Sequence, residues 1–276
     1  MKKIIAVVGL AALALLSSSC DKLKSRDQMN KGVQAYRNAR YADAVECFKK
    51  AVQLDPQNSM GKLYLATAYM TQYVPGSDEP KNVEFATAAR SEFESVLKAN
   101  PSDRTALASL ASLAYQEAQG IPKAEDKIKK LDESKDWYMK LIQADPKNKE
   151  AYYSLGVIDW LKWYPKLMSA RAEMNMKPED PGPLKDKKIK ADLKAQYSPL
   201  IDDGLSNLQK ALSIDPNYDD AMAYMNLLIR ERADLADTPE EYKAQVAEAD
   251  TWVQKALETK KEKALKAPAA GAATGK

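Results

Sequence analysis

The chain has no histidine, only three phenylalanines and only two cysteines in 276 residues. Without imidazole there is no His-activated nucleophile, no His general acid or base and no His metal ligand. Two cysteines, Cys20 and Cys47, cannot build the multi-disulfide framework of small exported domains. Cys47 lies in an apolar helical stretch and reads as a small buried residue, the alternative being a disulfide to Cys20. No Gly-rich phosphate loop occurs. The formal charge of +3 falls to +1 once an N-terminal segment carrying Lys2 and Lys3 is removed. No global field then draws nucleic acid or anionic lipid to the chain.

Carboxylates remain as candidates for chemistry, and their spacing argues against it. Asp202-Asp203 and Asp219-Asp220 are adjacent on predicted helices, where neighbours diverge by ~100° and cannot face one substrate. Asp215, Asn217 and Asp219 alternate as in the first half of a calcium loop. Asp220, however, stands where the sharp-turn glycine belongs, and Asn226 where the closing glutamate belongs. The expectation is a non-enzyme with no catalytic residues, no metal and no cofactor; an enzyme here would have to work with carboxylates or lysines alone.

What the chain does have is a period. Apolar helical stretches end at Asp55-Pro56, Asn100-Pro101, Asp145-Pro146 and Asp215-Pro216. The first three prolines are 45 residues apart and the fourth follows after 70, one period plus 25 residues. A fixed period of this size marks stacked helix pairs. Ahead of each proline, residues recur in register: Ala44, Phe48, Ala51; Ala89, Phe93, Val96; Ser134, Tyr138, Leu141; Gly204, Leu208, Ala211. Ala249, Val253 and Ala256 repeat the set once more without the proline. Small residues let two helix backbones approach, the large side chain fills the space beside them, and the proline ends the helix. Helices are predicted over 27–38, 41–54, 59–73, 82–99, 104–118, 124–144, 149–164, 186–197, 199–214, 219–234 and 239–260, with no strand.

This pattern resembles the tetratricopeptide repeat over roughly residues 25–260. The resemblance implies an all-α, tetratricopeptide-type solenoid of about five antiparallel helix pairs. The repeats would fall at about 25–58, 59–103, 104–148, 149–218 and 219–260, with an insertion, 165–198, in the fourth. A standard unit of the family is about 34 residues, so repeats two, three and five carry extra residues near 74–81, 119–127 and 235–242. In this family the first helix of each pair lines a concave binding face. The resemblance therefore implies a partner-binding groove at Met29, Val33, Tyr36, Leu63, Thr67, Met70, Tyr115, Tyr153, Val157, Trp160 and Arg230, with Ala108, Ser112 and Leu227 beside them. That surface is apolar and aromatic and suits a helix or an extended peptide. The Lys and Asn that clamp a peptide carboxylate in chaperone-tail binders of the family have no counterpart at Leu63, Thr67, Ala108 and Ser112. The alternative for each groove residue is packing between repeats or under the insertion.

At the N-terminus, Lys2 and Lys3 precede an apolar run over residues 4–16, followed by Ser17-Ser18-Ser19-Cys20. Thirteen residues at ~1.5 Å rise cover about 20 Å, short of the ~30 Å hydrocarbon core. The run reads as a signal segment, 1–19, rather than a span. Small residues before a cysteine resemble the lipobox of bacterial lipoproteins. That resemblance implies acylation of Cys20, a short tether over 20–26, and a chain anchored in the bacterial cell envelope facing the periplasm. Asp21 resembles the inner-membrane retention signal that some bacteria read, which leaves inner and outer membrane both open.

The insertion carries Trp160, Trp163, Tyr164, Met168, Met174 and Met176 at or near its start, then a proline-rich turn, then Lys185, Lys187, Lys188 and Lys190. It either packs onto repeats three and four or offers a surface to a partner. Residues 261–276 are predicted to be a disordered Lys/Ala tail. The functional expectation is a non-enzymatic adaptor or scaffold that binds envelope proteins in the groove. The alternative is an envelope lipoprotein that binds a glycan or small molecule through the Trp-rich insertion.

Overall fold

The computed structural model describes residues 2–266, with side chains from residue 20 onward. Among the described residues it holds ten helices and no strand: α1 (Lys2–Arg37), α2 (Tyr41–Leu54), α3 (Ser59–Met70), α4 (Pro80–Ala99), α5 (Arg104–Gln119), α6 (Ala124–Ala144), α7 (Lys149–Glu173), α8 (Lys187–Ile214), α9 (Asp219–Ala233) and α10 (Pro239–Lys266). They divide into two compact units, Met1–Lys140 and Leu141–Lys276. In the first, α1 packs on α2 and α3 on α4, and α6 is tied to α5 by Ser134 Oγ donating to the Ala111 carbonyl at 2.8 Å. In the second, α7 packs on α8 and α9 on α10.

The recurring small residues lie where the helices of a pair meet. Ala44, Ala89, Ser134, Gly204 and Ala249 are all buried. Large partners fill the space they leave: a methyl added to Gly32 would stand 2.4 Å from Phe48 Cε1, and one added to Gly156 would stand 2.5 Å from Leu208 Cγ. Neither glycine can carry a side chain without pushing the ring or the leucine out of its close-packed site.

Each Asp-Pro or Asn-Pro junction is the same hydrogen-bonded turn. The Asp or Asn closes the outgoing helix, with Asp55, Asn100 and Asp215 N–H donating to the carbonyls of Ala51, Val96 and Ala211. Its own carbonyl then accepts from the residue three further on, at Asn58, Asp103, Asn148 and Tyr218. In three junctions that residue also caps the next helix. Asn58, Asp103 and Asn148 accept from Gly61, Ala106 and Ala151 N–H at 3.1, 2.9 and 2.9 Å. Satisfying one orphan amide of the first turn in this way contributes ~1 kcal/mol. Asn58→Ala is expected to lower unfolding free energy by about 1 kcal/mol in urea melts; an unchanged midpoint would mean that solvent caps α3 equally well.

Two prolines depart from the expected helix ends. Pro165 does not stop the helix expected over 149–164, because α7 runs on to Glu173; Pro199 does not divide 186–197 from 199–214, because α8 is continuous. An interior proline loses a hydrogen bond and crowds the preceding turn at ~3 kcal/mol. Burial offsets that cost, on both sides of Pro165 with Trp163, Leu167 and Ala170 in the core along α7, and after Pro199 with Ile201 and Leu208 along α8. The insertion is thus mostly an extension of two helices, joined by a turn over residues 174–186 that buries Met176 and Leu184 in the second unit's core.

The extra residues of repeats two and three also pack. Asn82 Oδ1 accepts from Val74 N–H, and its Nδ2 donates to the carbonyls of Val74 and Ser77. A Cβ on Gly120 would lie 2.2 Å from Gly76 N. The expected tether is not free chain, since Ser25 sits inside α1 and donates to the Ala51 carbonyl at 2.8 Å. Residues 261–266 of the expected disordered tail are the last turns of α10, and 267–276 lie outside the described residues. The side chains of the expected signal segment also lie outside them. Among the described residues no helix is long and apolar enough to cross a membrane. Cys20 is exposed, Cys47 half-buried, and both are free thiols.

Candidate functional site

In the first unit, α3 and α5, the first helices of repeats two and three, form a trough of about 550 Å³ lined by Thr67, Met70, Thr71, Tyr73, Ala108, Ser109, Ser112 and Gln116. No lining side chain is charged. The polar groups are positioned by their own helices: Thr67 and Thr71 hydroxyls donate to the carbonyls four residues back at 2.8 and 2.9 Å. Tyr36 OH and Thr71 Oγ1 share a 2.8 Å hydrogen bond, and Gln116 donates to Ser112 Oγ at 3.3 Å. Hydroxyls whose protons are used internally turn lone pairs outward, so this wall offers acceptors beside the apolar Met70 and Ala108.

The groove residues inferred from the family resemblance meet different fates. Thr67, Met70, Ala108 and Ser112 come together in the trough. Val33, Tyr36 and Leu63 are half-buried against the first unit's core. Met29, 9% exposed, and Val157, 5% exposed, are core residues and cannot line a groove. Tyr115 is half-buried, and burial pushes its hydroxyl pKa up; the next residue, Gln116, takes the place in the trough because it continues the i, i+4 line of Ala108 and Ser112.

In the second unit the remaining groove candidates are engaged internally. Tyr153 packs on Tyr218 and Tyr224, with ring centroids 5.1 and 5.6 Å away. Trp160 stacks on Tyr164 at 5.0 Å and donates from Nε1 to Glu231 Oε1 at 2.9 Å. Arg230 pairs with Asp250 at 2.6 Å and also reaches Asn226 Oδ1. The reason is the long α7, which carries its aromatic face alongside α9.

That same region contains a buried ion pair. Arg171, 3% exposed, pairs through Nη1 with Asp234, 5% exposed, at 2.5 Å. Its Nε and Nη2 donate to the Lys177 carbonyl, and Nη2 also reaches the Asp180 carbonyl. Leu184 N–H donates to the Asp234 carbonyl and Gly182 N–H to Tyr242 OH, both at 2.9 Å. One buried guanidinium therefore clasps the insertion turn onto α9. Burial raises the Asp234 pKa, opposed by the charge of Arg171. Burial also pushes Glu231 up to about 8, opposed by the Trp160 hydrogen bond. The sequence reading missed Arg171, Glu231 and Asp234. A signal was present: Arg171 follows Tyr164, Leu167 and Met168 at helical spacing, and Glu231 follows Tyr224, Leu227 and Leu228. A charge in phase with an apolar face points inward and needs a partner.

Other charged clusters are closed on themselves. Arg90 and Lys130 interleave with Glu117 and Glu133 between α4, α5 and α6. The calcium-like stretch is likewise occupied, with Asp215 paired to Lys149 at 2.6 Å and Asp219 to Lys263. No group of three or more metal-ligating side chains is found among the described residues.

A tetratricopeptide-repeat family model matches residues 26–58, which is α1 from Arg26 onward with α2. Solved structures agree with the helix-pair plan. MamA from Desulfovibrio magneticus RS-1, residue 41 to its end, matches at a TM-score of 0.52 and 15% identity, over 87% of this chain and 96% of that one. The fold is a tetratricopeptide-type solenoid. A MamA structure from strain MSR-1 gives a TM-score of 0.50 at 14% identity, over 88% of this chain and 98% of the other. At these identities the likeness extends to the tetratricopeptide fold and not to a ligand. No curated protein sequence matches the chain.

Proposed function

We propose that the chain is a non-enzymatic adaptor that holds a partner polypeptide in the trough between α3 and α5, and that it is anchored in a bacterial envelope through an acylated Cys20. The observation that carries the reading is the trough itself, an uncharged concavity of about 550 Å³ built on two rigid helices of a repeat fold. Its outward lone pairs beside Met70 and Ala108 suit the N–H groups and apolar side chains of an extended or helical peptide. This is narrower than the aromatic groove inferred from the sequence, since Tyr153 and Trp160 are held inside the second unit.

Thr67→Arg with Ser112→Arg places two charges in that concavity, on half-exposed positions that tolerate substitution. Crosslinked pull-downs are expected to lose the wild-type partner at least tenfold while circular dichroism stays unchanged; recovery of the same partner at wild-type yield would sink the reading.

The anchor has its own test. Cys20 is exposed on α1, so Cys20→Ala leaves the fold intact. The variant is expected to move from the membrane fraction to the soluble one, and mass spectrometry of the wild-type N-terminus to find a lipid-modified cysteine. A wild-type chain with an unmodified Cys20 would remove the anchor and leave the adaptor reading to stand by itself.

A further inference from the structure

Beside the insertion lies a second cavity, of about 390 Å³, within the size range of small-ligand sites. The adaptor reading does not use it. Its charged lining is four carboxylates, Glu179, Asp180, Glu231 and Asp234, against two guanidiniums, Arg171 and Arg230. Both guanidiniums are already engaged, Arg171 by Asp234 and two backbone carbonyls, Arg230 by Asp250 and Asn226. An anionic ligand would meet no uncommitted positive charge.

Glu231 is different. Trp160 holds Oε1, while Oε2 is buried and hydrogen-bonded to nothing among the described residues. The fully buried Trp163 presents its indole N–H to the same carboxyl without closing a good hydrogen bond. A buried acceptor left open in this way favours a ligand that brings a donor, and a charged donor most of all. Around it the wall supplies the tyrosine ring of Tyr164 for a cation, and Leu167, Met168 and Pro181 for an aliphatic stem.

We propose that this cavity binds an organic cation on a short aliphatic stem, a guanidinium or alkylammonium, with its head against Glu231 and its stem along Met168 and Pro181. The chemistry is that of a basic side chain on a partner, or of a free small amine. Because burial holds Glu231 protonated near neutrality, the arriving cation displaces that proton to solvent, and affinity rises with pH up to about pH 8. The charged and titratable groups around Glu231 are Tyr164 and Arg171 from α7, Glu179 and Asp180 from the turn, Arg230 and Asp234 from α9, and Tyr242 from α10. None of these replaces Glu231 as the open acceptor.

The test is calorimetric titration of the purified full chain with agmatine, with an acetyl-Ala-Arg-Ala-amide peptide, and with the citrulline peptide of the same shape but no charge. At least one cation is expected to bind tenfold or more tighter at pH 8 than at pH 6, releasing close to one proton at pH 6 and about half as much at pH 8, with no binding of the citrulline peptide. Glu231→Gln should weaken binding at least tenfold. Glu179→Gln, on the exposed rim where folding is not at issue, should weaken it a few-fold. Tighter binding of the peptide assigns the cation to a partner's side chain, and tighter binding of agmatine to a free amine. Equal affinity for the citrulline peptide, no binding of either cation at millimolar concentration, or a folded Glu231→Gln chain with wild-type affinity would each overturn the proposal. The trough variants Thr67→Arg and Ser112→Arg leave this cavity untouched, so the two readings fail independently.

Discussion

Replacing Arg171 by methionine is expected to cost about 3–5 kcal/mol of unfolding free energy. The guanidinium is 3% exposed and its partner Asp234 5% exposed, so the variant leaves a carboxylate buried without its counter-charge. It also frees the carbonyls of Lys177 and Asp180, which Arg171 holds in place across the insertion turn. The loss should be visible twice, as a lower urea midpoint and as faster hydrogen exchange or proteolysis within residues 174–186. The pair as a whole need not be stabilising, because each ion gave up its hydration to be buried. Arg171→Met combined with Asp234→Leu is therefore expected to regain most of what the single change loses. A single variant within about 1 kcal/mol of wild type would mean that water or a neighbouring cation reaches Asp234 and that the clasp is not structural.

Stability is expected to fall as pH rises from about 4.5 to about 8, with Glu231 the main cause. Its carboxyl titrates near 4.5 when unfolded and near 8 when folded. Between those values the unfolded chain has released the proton and the native chain still holds it, so raising the pH favours unfolding. The stability conferred by the buried, protonated carboxyl is fully present below about pH 4.5 and is lost by about pH 8. Across the window the effect is on the order of 5 kcal/mol. Asp234, whose pKa is also raised by burial, acts in the same direction. The lowered pKa values of Asp215 and Asp219 act oppositely, but their contribution is lost only as pH falls through the acid range. Glu231→Gln keeps an acceptor for Trp160 and cannot ionise. Its melting temperature is expected to be nearly flat from pH 5 to 9 and to exceed wild type at pH 9. Parallel melting curves for the two proteins would place the titrating group elsewhere.

The legible and illegible residues differ in how far apart their partners are. Ala44, Ala89, Ser134, Gly204 and Ala249 could be read because each serves the same contact within its own repeat, and five copies of one local solution show above the background. The Asp-Pro and Asn-Pro turns were legible for the same reason, although their side-chain caps at Asn58, Asp103 and Asn148 went unread. Pro165 and Pro199 misled because a helix boundary judged locally ignores the packing that carries α7 and α8 through them. Tyr153 and Trp160 were placed on an open face by analogy between repeats. Tyr224 of α9 packs edge-on against both rings instead.

From the sequence alone come the helical class, the period, the five helix pairs and the position of the insertion, because these depend on side chains a few residues apart and are restated in every repeat. The absence of histidine-based chemistry is equally a property of the sequence. Which polar groups meet was decided only in three dimensions. Arg171 and Asp234 are 63 residues apart, Trp160 and Glu231 are 71 apart, and no repeat register relates them. A buried charge is tolerated only where folding delivers its partner to within hydrogen-bond distance. That condition belongs to the packed insertion rather than to any stretch of sequence, which is why the second cavity became visible only once α7, the turn and α9 were in place.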